Sequence, residues 1–458
     1  MKRKYLIEKA GNKRLVLFFT GWSTDWRILK DISLPEGYDL LCLWNYEDDT
    51  WESLEHQYEE VVIIAWSFGV PVANKLFSFI NKDNNITGLF AVNGTVFPVD
   101  DEKGIPTIIF YNTFNSLDER NLYKFRIRIS GGLKRFKNFE SNFPANDDIL
   151  SLKRELTYFK DKSYKCGENP VWDYAIISDS DKIFPLENLK RGWDNTPSMV
   201  MEDQEHLPNF QTIIDFLIKD KQSVVRKFEK TLYSYEDNAI VQKELAEKIL
   251  FLLKKTDKTF ENILEIGGGS GMLTRNIKDS FPDSYLMSLD IVKGCQCPGV
   301  EIYEGDAETV MKNLLANSFD LVISGSTFQW FHSPYRCLTE VFRVIKEKGI
   351  FAFTTYLPGT FKELSDLSGH GLLYLKSEEW ENILKKVGFE MVTIKKKSIT
   401  LYFDKVSDIF SHLRSTGVNG LAGRNKKISE MKEMMRNYPL INGKYPLSYE
   451  TLLMIVRK

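Results

Sequence analysis

Twice in this chain a run of apolar, strand-forming residues ends on a corner too tight for ordinary side chains. The first corner is Val61-Val-Ile-Ile-Ala-Trp-Ser67-Phe-Gly69 and the second is Asn262-Ile-Leu-Glu265-Ile-Gly267-Gly-Gly269-Ser-Gly271. A buried strand that turns directly into a helix belongs to an α/β sheet with helices on its faces. Short apolar runs at 15–19, 40–43, 61–65, 86–92, 107–111 and 174–178 accompany the first corner and read as strands. A second series at 262–266, 285–290, 319–324, 349–356 and 391–403 accompanies the second.

Two series, each with its own corner, predict two cores. At 458 residues the chain exceeds what one core usually covers. The expected domains are 1–220 and 221–458, joined through 209–230, which is helical in pattern and lacks the Gly, Pro or Ser of a flexible linker. The two corners differ, so the halves are not an internal repeat.

Charge and composition narrow the partners. Sixty-one Lys and Arg against 63 Asp and Glu leave a formal charge of −2, which argues against nucleic acid, where a basic excess is needed to neutralise phosphates. No stretch approaches the roughly 20 apolar residues of a membrane span, and residues 1–14 lack an export signal's apolar core. The expectation is a cytoplasmic protein with no membrane partner. The five cysteines, Cys42, Cys166, Cys295, Cys297 and Cys337, lack the Cys-x-x-Cys pairs of zinc sites and read as free thiols. No metal is expected.

At the first corner, Ser67 sits between small residues two positions away on each side. This resembles the nucleophile elbow of α/β-hydrolases, with Ala65 where glycine is usual. The alternative is a serine that merely caps a helix. Gly21-Trp22 follows the 15–19 run, where such folds place an oxyanion loop, so the backbone N–H groups of Trp22 and Phe68 are the expected donors. The chain order Ser, acid, His excludes His56 and leaves His206 as the base. Asp181 is the preferred acid and Asp179 the runner-up. The carboxylate not used is expected to cap the helix after Pro185. Residues 112–161 break the strand rhythm and predict a small helical lid. Its basic runs, Lys124-Phe-Arg-Ile-Arg128 and Lys134-Arg-Phe-Lys137, suit an acidic carrier protein or a phosphate.

The second corner resembles the first motif of S-adenosylmethionine-dependent methyltransferases. Its Gly-x-Gly-x-Gly spacing differs from the Gly-x-Gly-x-x-Gly of dinucleotide sites. Glycines at 267, 269 and 271 let backbone run close beneath a ligand. Glu265 ends the strand before them, and Asp290 ends the next, placed to accept ribose hydroxyls. Asp306 and Ala307 fall where adenine is read, and Ser324 ends the fourth strand. Methyl transfer to a carboxylate chiefly needs alignment, so no catalytic triad is expected there.

Longer motifs carry a closer resemblance. Ser324-Gly-Ser-Thr-Phe-Gln-Trp330-Phe, Thr355-Tyr-Leu-Pro-Gly-Thr-Phe-Lys-Glu-Leu364 and Leu413-Arg-Ser-Thr-Gly-Val-Asn419 are similar to the malonyl-acyl-carrier-protein O-methyltransferase of biotin synthesis. Tyr235-Glu-Asp-Asn-Ala-Ile-Val-Gln242 looks like that family's opening helix, which makes Tyr235 and Gln242 candidates for ligand contact. Phe18-Phe-Thr-Gly-Trp22, Ala65-Trp-Ser-Phe-Gly69, Asp181-Lys-Ile-Phe-Pro185 and the late His206 resemble the compact pimeloyl-acyl-carrier-protein methyl ester esterase. Together they imply a class I, Rossmann-like methyltransferase fused to an α/β-hydrolase. S-adenosylmethionine would be the methyl donor, and acyl-carrier protein bearing malonyl or methyl-pimeloyl groups the partner. Tyr356 and Arg414 are candidates for the malonyl carboxylate. Two other readings stay open: a generic carboxyl methyltransferase joined to an unrelated thioesterase, and a first half that only docks carrier protein.

Overall fold

The computed structural model describes residues 1–48, 50–144, 148–160, 170–256, 258–294, 297–368, 373–416 and 433–458. Cys166, Cys295, Gly417 to Asn419 and parts of the expected lid lie outside them. The chain divides into two compact units, Met1–Ile218 and Lys219–Lys458.

The first unit is built on seven strands: β1 (Lys2–Ile7), β2 (Arg14–Phe19), β3 (Tyr38–Trp44), β4 (Glu60–Trp66), β5 (Ile86–Val92), β6 (Tyr174–Ser178) and β7 (Ser198–Met201). Their order is β1-β3-β2-β4-β5-β6-β7, parallel throughout except for β1, which pairs antiparallel with β3. From Val61 to Trp66, β4 is buried, as expected of a central strand covered on both faces. The order reverses between β2 and β4, so the loops after those two strands border the crevice where such sheets bind ligands. Ser67 and Trp22 stand on these two loops.

The apolar run at 107–111 is not a strand. Thr107–Asn115 is a helix entered through Pro106, with Ile108 71% exposed and Phe110 buried. A five-residue apolar run cannot by itself tell helix from strand. Three further helices, Glu119–Ile129, Leu133–Phe139 and Ile149–Lys160, fill the interval before β6.

The second unit has its own seven-stranded sheet: β8 (Asn262–Ile266), β9 (Tyr285–Asp290), β10 (Glu301–Glu304), β11 (Phe319–Gly325), β12 (Ile345–Tyr356), β13 (Glu390–Phe403) and β14 (Tyr445–Arg457). The order is β10-β9-β8-β11-β12-β14-β13. The last strand runs antiparallel between β12 and β13, and the strands from β10 to β12 are parallel. This is a Rossmann-like sheet whose order reverses between β8 and β11, again opening a crevice at the strand ends. Helix Ile240–Lys254 buries Ile249 and Leu253 against Ile263, Leu321 and Ile323 of that sheet. The expected junction at 209–230 falls on two helices, Phe210–Leu217 and Lys221–Asn238.

Candidate functional site

In the first unit the chain leaves β4 at Ser67 with φ +56°, a left-handed conformation that costs a non-glycine residue energy and recurs at functional sites. Neighbours enforce the corner. A Cβ on Gly69 would stand 2.5 Å from the Phe19 carbonyl oxygen, and one on Gly21 would stand 3.0 Å from Ser67 Cβ. Ala65, the departure from the usual glycine, is fully buried and lies in register between Phe19 and Ala91. The sheet therefore takes its methyl group as ordinary packing.

Three residues far apart in sequence meet at this corner. His206 Nε2 is 2.9 Å from Ser67 Oγ, and His206 Nδ1 is 2.8 Å from Asp181 Oδ2. The His206 and Asp181 side chains are 2% and 0% exposed. The second oxygen of Asp181 accepts from the N–H groups of Ile183 and Phe184, at 2.7 and 3.0 Å, which locks the carboxylate's orientation. Asp179 is not in this chain of contacts. It accepts from the Ser180 hydroxyl and does not cap the following helix, whose cap position is Pro185. The turn bonds belong to Asp181, the residue that also holds the histidine.

Around the imidazole, Phe184 stacks at 5.9 Å with planes 15° apart, and Trp66 Nε1 donates to the His206 carbonyl at 2.8 Å. Sequence reasoning missed Asn93. Its amide donates to Ser178 Oγ and to the carbonyls of Glu205 and His206. The only signal was a polar residue followed by glycine at the end of the 86–92 run.

Among the described residues, no hydrogen bond engages the backbone N–H of Trp22 or of Phe68. Both lie on loops that meet at Ser67: Phe68 follows it in the chain, and Gly21, next to Trp22, stands beside its Cβ. The Trp22 ring packs edge-on against Phe125 at 4.8 Å, and its Nε1 donates to the Leu152 carbonyl. Phe68 packs on Phe159 at 4.3 Å. Helices Glu119–Ile129 and Ile149–Lys160 are thus tied to the loops that carry Trp22 and Phe68 by aromatic contact. Arg126, one of the expected carrier-binding cations, is instead buried and donates to the Ser23 and Pro144 carbonyls. Lys124, Arg128, Lys134 and Lys137 remain exposed.

In the second unit a cavity of about 990 Å³, counted out to its open mouth, lies at the crevice. Gly267, Gly269, Asp290, Asp306, Ala307, Tyr235 and Gln242 line it. Gly269 has φ +52° and open space where a Cβ would project. At Gly267 the reason for glycine is different: a Cβ would stand 1.9 Å from the Thr327 hydroxyl. Asp290 fastens the loop, accepting from Gly269 N–H at 2.8 Å and Val292 N–H at 2.7 Å. Burial raises its pKa despite these bonds.

Three expected ligand contacts stand behind the lining. Glu265 is fully buried and accepts from the Thr274 and Ser288 hydroxyls at 2.6 and 2.7 Å. Through one oxygen it ties β8 to β9 and to the next helix, while the other, Oε1, is buried without a hydrogen-bond partner, and burial raises its pKa to about 7. Ser324 donates to the Ile266 carbonyl at 2.8 Å, bridging β11 and β8. Gly271, at φ +85°, caps helix Met272–Ser280. Asp306 does line the cavity, but one of its oxygens pairs with Lys221, which also pairs with Glu308. Burial alone would lower the Lys221 pKa, and the two carboxylates override it and raise it. Arg414 is exposed and donates to Ser411, away from any role in the cavity. No cluster of three or more metal-ligating side chains occurs among the described residues, and no helix among them is long and apolar enough to cross a membrane.

Comparison with known proteins gives each unit a family. Residues 1–214 match the family model described as Pimeloyl-ACP methyl esterase BioG, and residues 238–394 match a methyltransferase domain. A malonyl-[acyl-carrier protein] O-methyltransferase of Bacteroides fragilis is 28% identical over 97% of this chain and 93% of its own length. One from Chlorobium phaeovibrioides is 32% identical over 53% of this chain and 98% of its own length. A crystal structure of BioG from Haemophilus influenzae is 31% identical, covering 45% of this chain and 94% of that one, with a TM-score of 0.41. The chain belongs to the malonyl-[acyl-carrier protein] O-methyltransferases and carries a BioG-type domain at its N-terminus.

Proposed function

We propose that this chain performs two opposed reactions on acyl groups borne by acyl-carrier protein, at the entry to and exit from synthesis of the pimeloyl precursor of biotin. Its second unit methylates the free carboxyl of malonyl-acyl-carrier protein, masking a charge that apolar elongation pockets could not bury. Its first unit hydrolyses the methyl ester once the chain has reached pimeloyl length. The observation that carries the reading is the continuous hydrogen-bond chain from Asp181 through His206 to Ser67, in a protein that belongs to the malonyl-acyl-carrier-protein methyltransferases.

In the first unit, Ser67 Oγ attacks the ester carbonyl while His206 Nε2 takes its proton. Asp181 holds the other imidazole nitrogen and stabilises the cation. The Trp22 and Phe68 N–H groups receive the oxyanion. Return of the proton to the departing oxygen releases methanol, and a water activated by His206 then frees pimeloyl-acyl-carrier protein and Ser67. A purely docking role would leave two unpaired amides beside a buried serine–histidine pair with no use.

In the second unit the residues fit S-adenosylmethionine. Gly269 leaves open space along the cavity floor, and Asp290 is held by backbone N–H groups with its carboxylate in the lining. When bound, S-adenosylmethionine supplies an electrophilic methyl group. Asp290 would meet the ribose hydroxyls, and Asp306 with Ala307 the adenine.

Purified protein given S-adenosylmethionine and malonyl-acyl-carrier protein, or separately methyl-pimeloyl-acyl-carrier protein, tests this by mass spectrometry of the carrier. The first should gain a methyl group and the second lose one. Equal methylation of free small acids would favour a generic carboxyl methyltransferase.

A further inference from the structure

The inner wall of the second-unit cavity carries polar atoms that the fold itself leaves unused. Gln242, on helix Ile240–Lys254, and Ser326, just beyond β11, both line the cavity. Gln242 Oε1 and Ser326 Oγ are buried and without hydrogen-bond partners, and so is the hydroxyl of Tyr356 at the end of β12. Gln242 and Tyr356 are 7% and 5% exposed. The three belong to one cluster: burial pushes the Tyr356 hydroxyl up to about 12, and the Ser326 and Gln242 side chains beside it pull it back. Ser326 is held at φ +52°, with its N–H on Thr354, so its backbone is fixed.

A buried polar atom left without a hydrogen bond carries an uncompensated desolvation cost. Gln242 and Ser326 stand in the lining and the Tyr356 hydroxyl lies beside them, so a ligand in the cavity can draw on all three. The same wall has no free cation among its described residues. Lys221 is the one basic side chain in the lining, and both Asp306 and Glu308 are paired with it.

We propose that Tyr356, Ser326 and Gln242 form the acceptor subsite for the methylation assigned above, hydrogen-bonding the malonyl carboxylate through two hydroxyls and through the Gln242 amide, turned over so that its NH2 takes the place of Oε1. The proposal rests on that assignment. Its physical logic lies in the charge change. A carboxylate oxygen forms a bond to the methyl carbon as the sulfur–methyl bond breaks, the electron pair returning to sulfur to give the neutral thioether. The carboxylate's charge disappears in that step. A guanidinium clamp would stabilise the charged reactant more than the transition state and slow the transfer. Two hydroxyls and an amide orient the oxygen at a smaller penalty, and the neutral ester that forms is a poorer acceptor and leaves.

The test uses the full-length protein saturated with S-adenosylhomocysteine, titrated calorimetrically with malonyl-acyl-carrier protein, alongside Tyr356→Phe, Ser326→Ala and Gln242→Glu. Each variant should weaken malonyl binding roughly ten- to hundred-fold, with S-adenosylhomocysteine affinity within about twofold of wild type, which also shows that the variant is folded. Methylation KM should rise in parallel. Unchanged malonyl affinity in all three variants, with wild-type turnover intact, overturns the subsite alone. Parallel loss of both affinities assigns the cluster a structural role and also overturns it. A wild-type protein that neither binds nor methylates malonyl-acyl-carrier protein overturns the parent assignment together with the subsite.

Discussion

The side-chain amide of Asn93 donates to the backbone carbonyl of His206 at 3.0 Å, while its oxygen accepts from Ser178 N–H at 2.7 Å. One residue therefore joins the ends of β5 and β6 to the loop that presents the imidazole. Asn93→Ala is expected to cost about 1–3 kcal/mol of stability, since it strips buried groups of partners. It should also slow ester hydrolysis about 10- to 100-fold through loss of alignment. Urea melts and methyl-ester hydrolysis rates check the two effects.

Asp181→Asn keeps the volume of the acid and removes its charge. Because the carboxylate fixes the tautomer that lets His206 accept the serine proton, hydrolysis should fall about 10⁴-fold. Asp179→Asn, outside the hydrogen-bond chain, should stay within about threefold of wild type. Equal losses in the two variants would reassign the acid.

In the second unit, Asp290→Ala removes a carboxylate that fastens the glycine loop and faces the cavity. S-adenosylhomocysteine affinity should drop roughly 10- to 100-fold. Glu265→Gln, behind the lining, should leave that affinity nearly unchanged. Isothermal titration of both variants separates ligand contact from structural support.

Glu155, 2% exposed on helix Ile149–Lys160, has its pKa raised by burial from about 4.5 to about 8. A carboxyl raised on folding binds more protons in the native than in the unfolded state. Its contribution to stability is full below the unfolded pKa and is lost as pH rises through the folded one. Glu155→Gln is neutral at every pH, so its advantage over wild type should grow from near zero at about pH 3.5 to roughly 4–5 kcal/mol at about pH 9. Thermal melts across that range read the difference, and a gap that shrinks with pH would contradict it.

Much of this architecture is visible in the residues because strained corners tolerate few side chains. Ser67 between Ala65 and Gly69 marks a strand-to-helix corner that the structure shows, and Gly267 to Gly271 mark a second. Elements set by distant partners were harder to see. Residues Tyr445–Arg457 form a strand that pairs with both β12 and β13, and nothing local announces that insertion. The helix Thr107–Asn115 was hidden in an apolar run whose exposed side depends on what covers it. At the second corner, Glu265 and Ser324 stand near strand ends, and the bonds they make run to neighbouring strands and the next helix. Spacing fixes where a residue sits along a strand but not which neighbour its side chain reaches.

The central claim is that one chain both adds and removes a methyl ester at two separate sites. Its most direct test is a crossed assay by carrier mass spectrometry, with Ser67→Ala and Asp290→Ala each given malonyl-acyl-carrier protein with S-adenosylmethionine and, separately, methyl-pimeloyl-acyl-carrier protein. The account predicts that Ser67→Ala methylates malonyl but no longer cleaves the pimeloyl ester, and that Asp290→Ala does the reverse. Undiminished ester cleavage by Ser67→Ala, or undiminished methylation by Asp290→Ala, would contradict it.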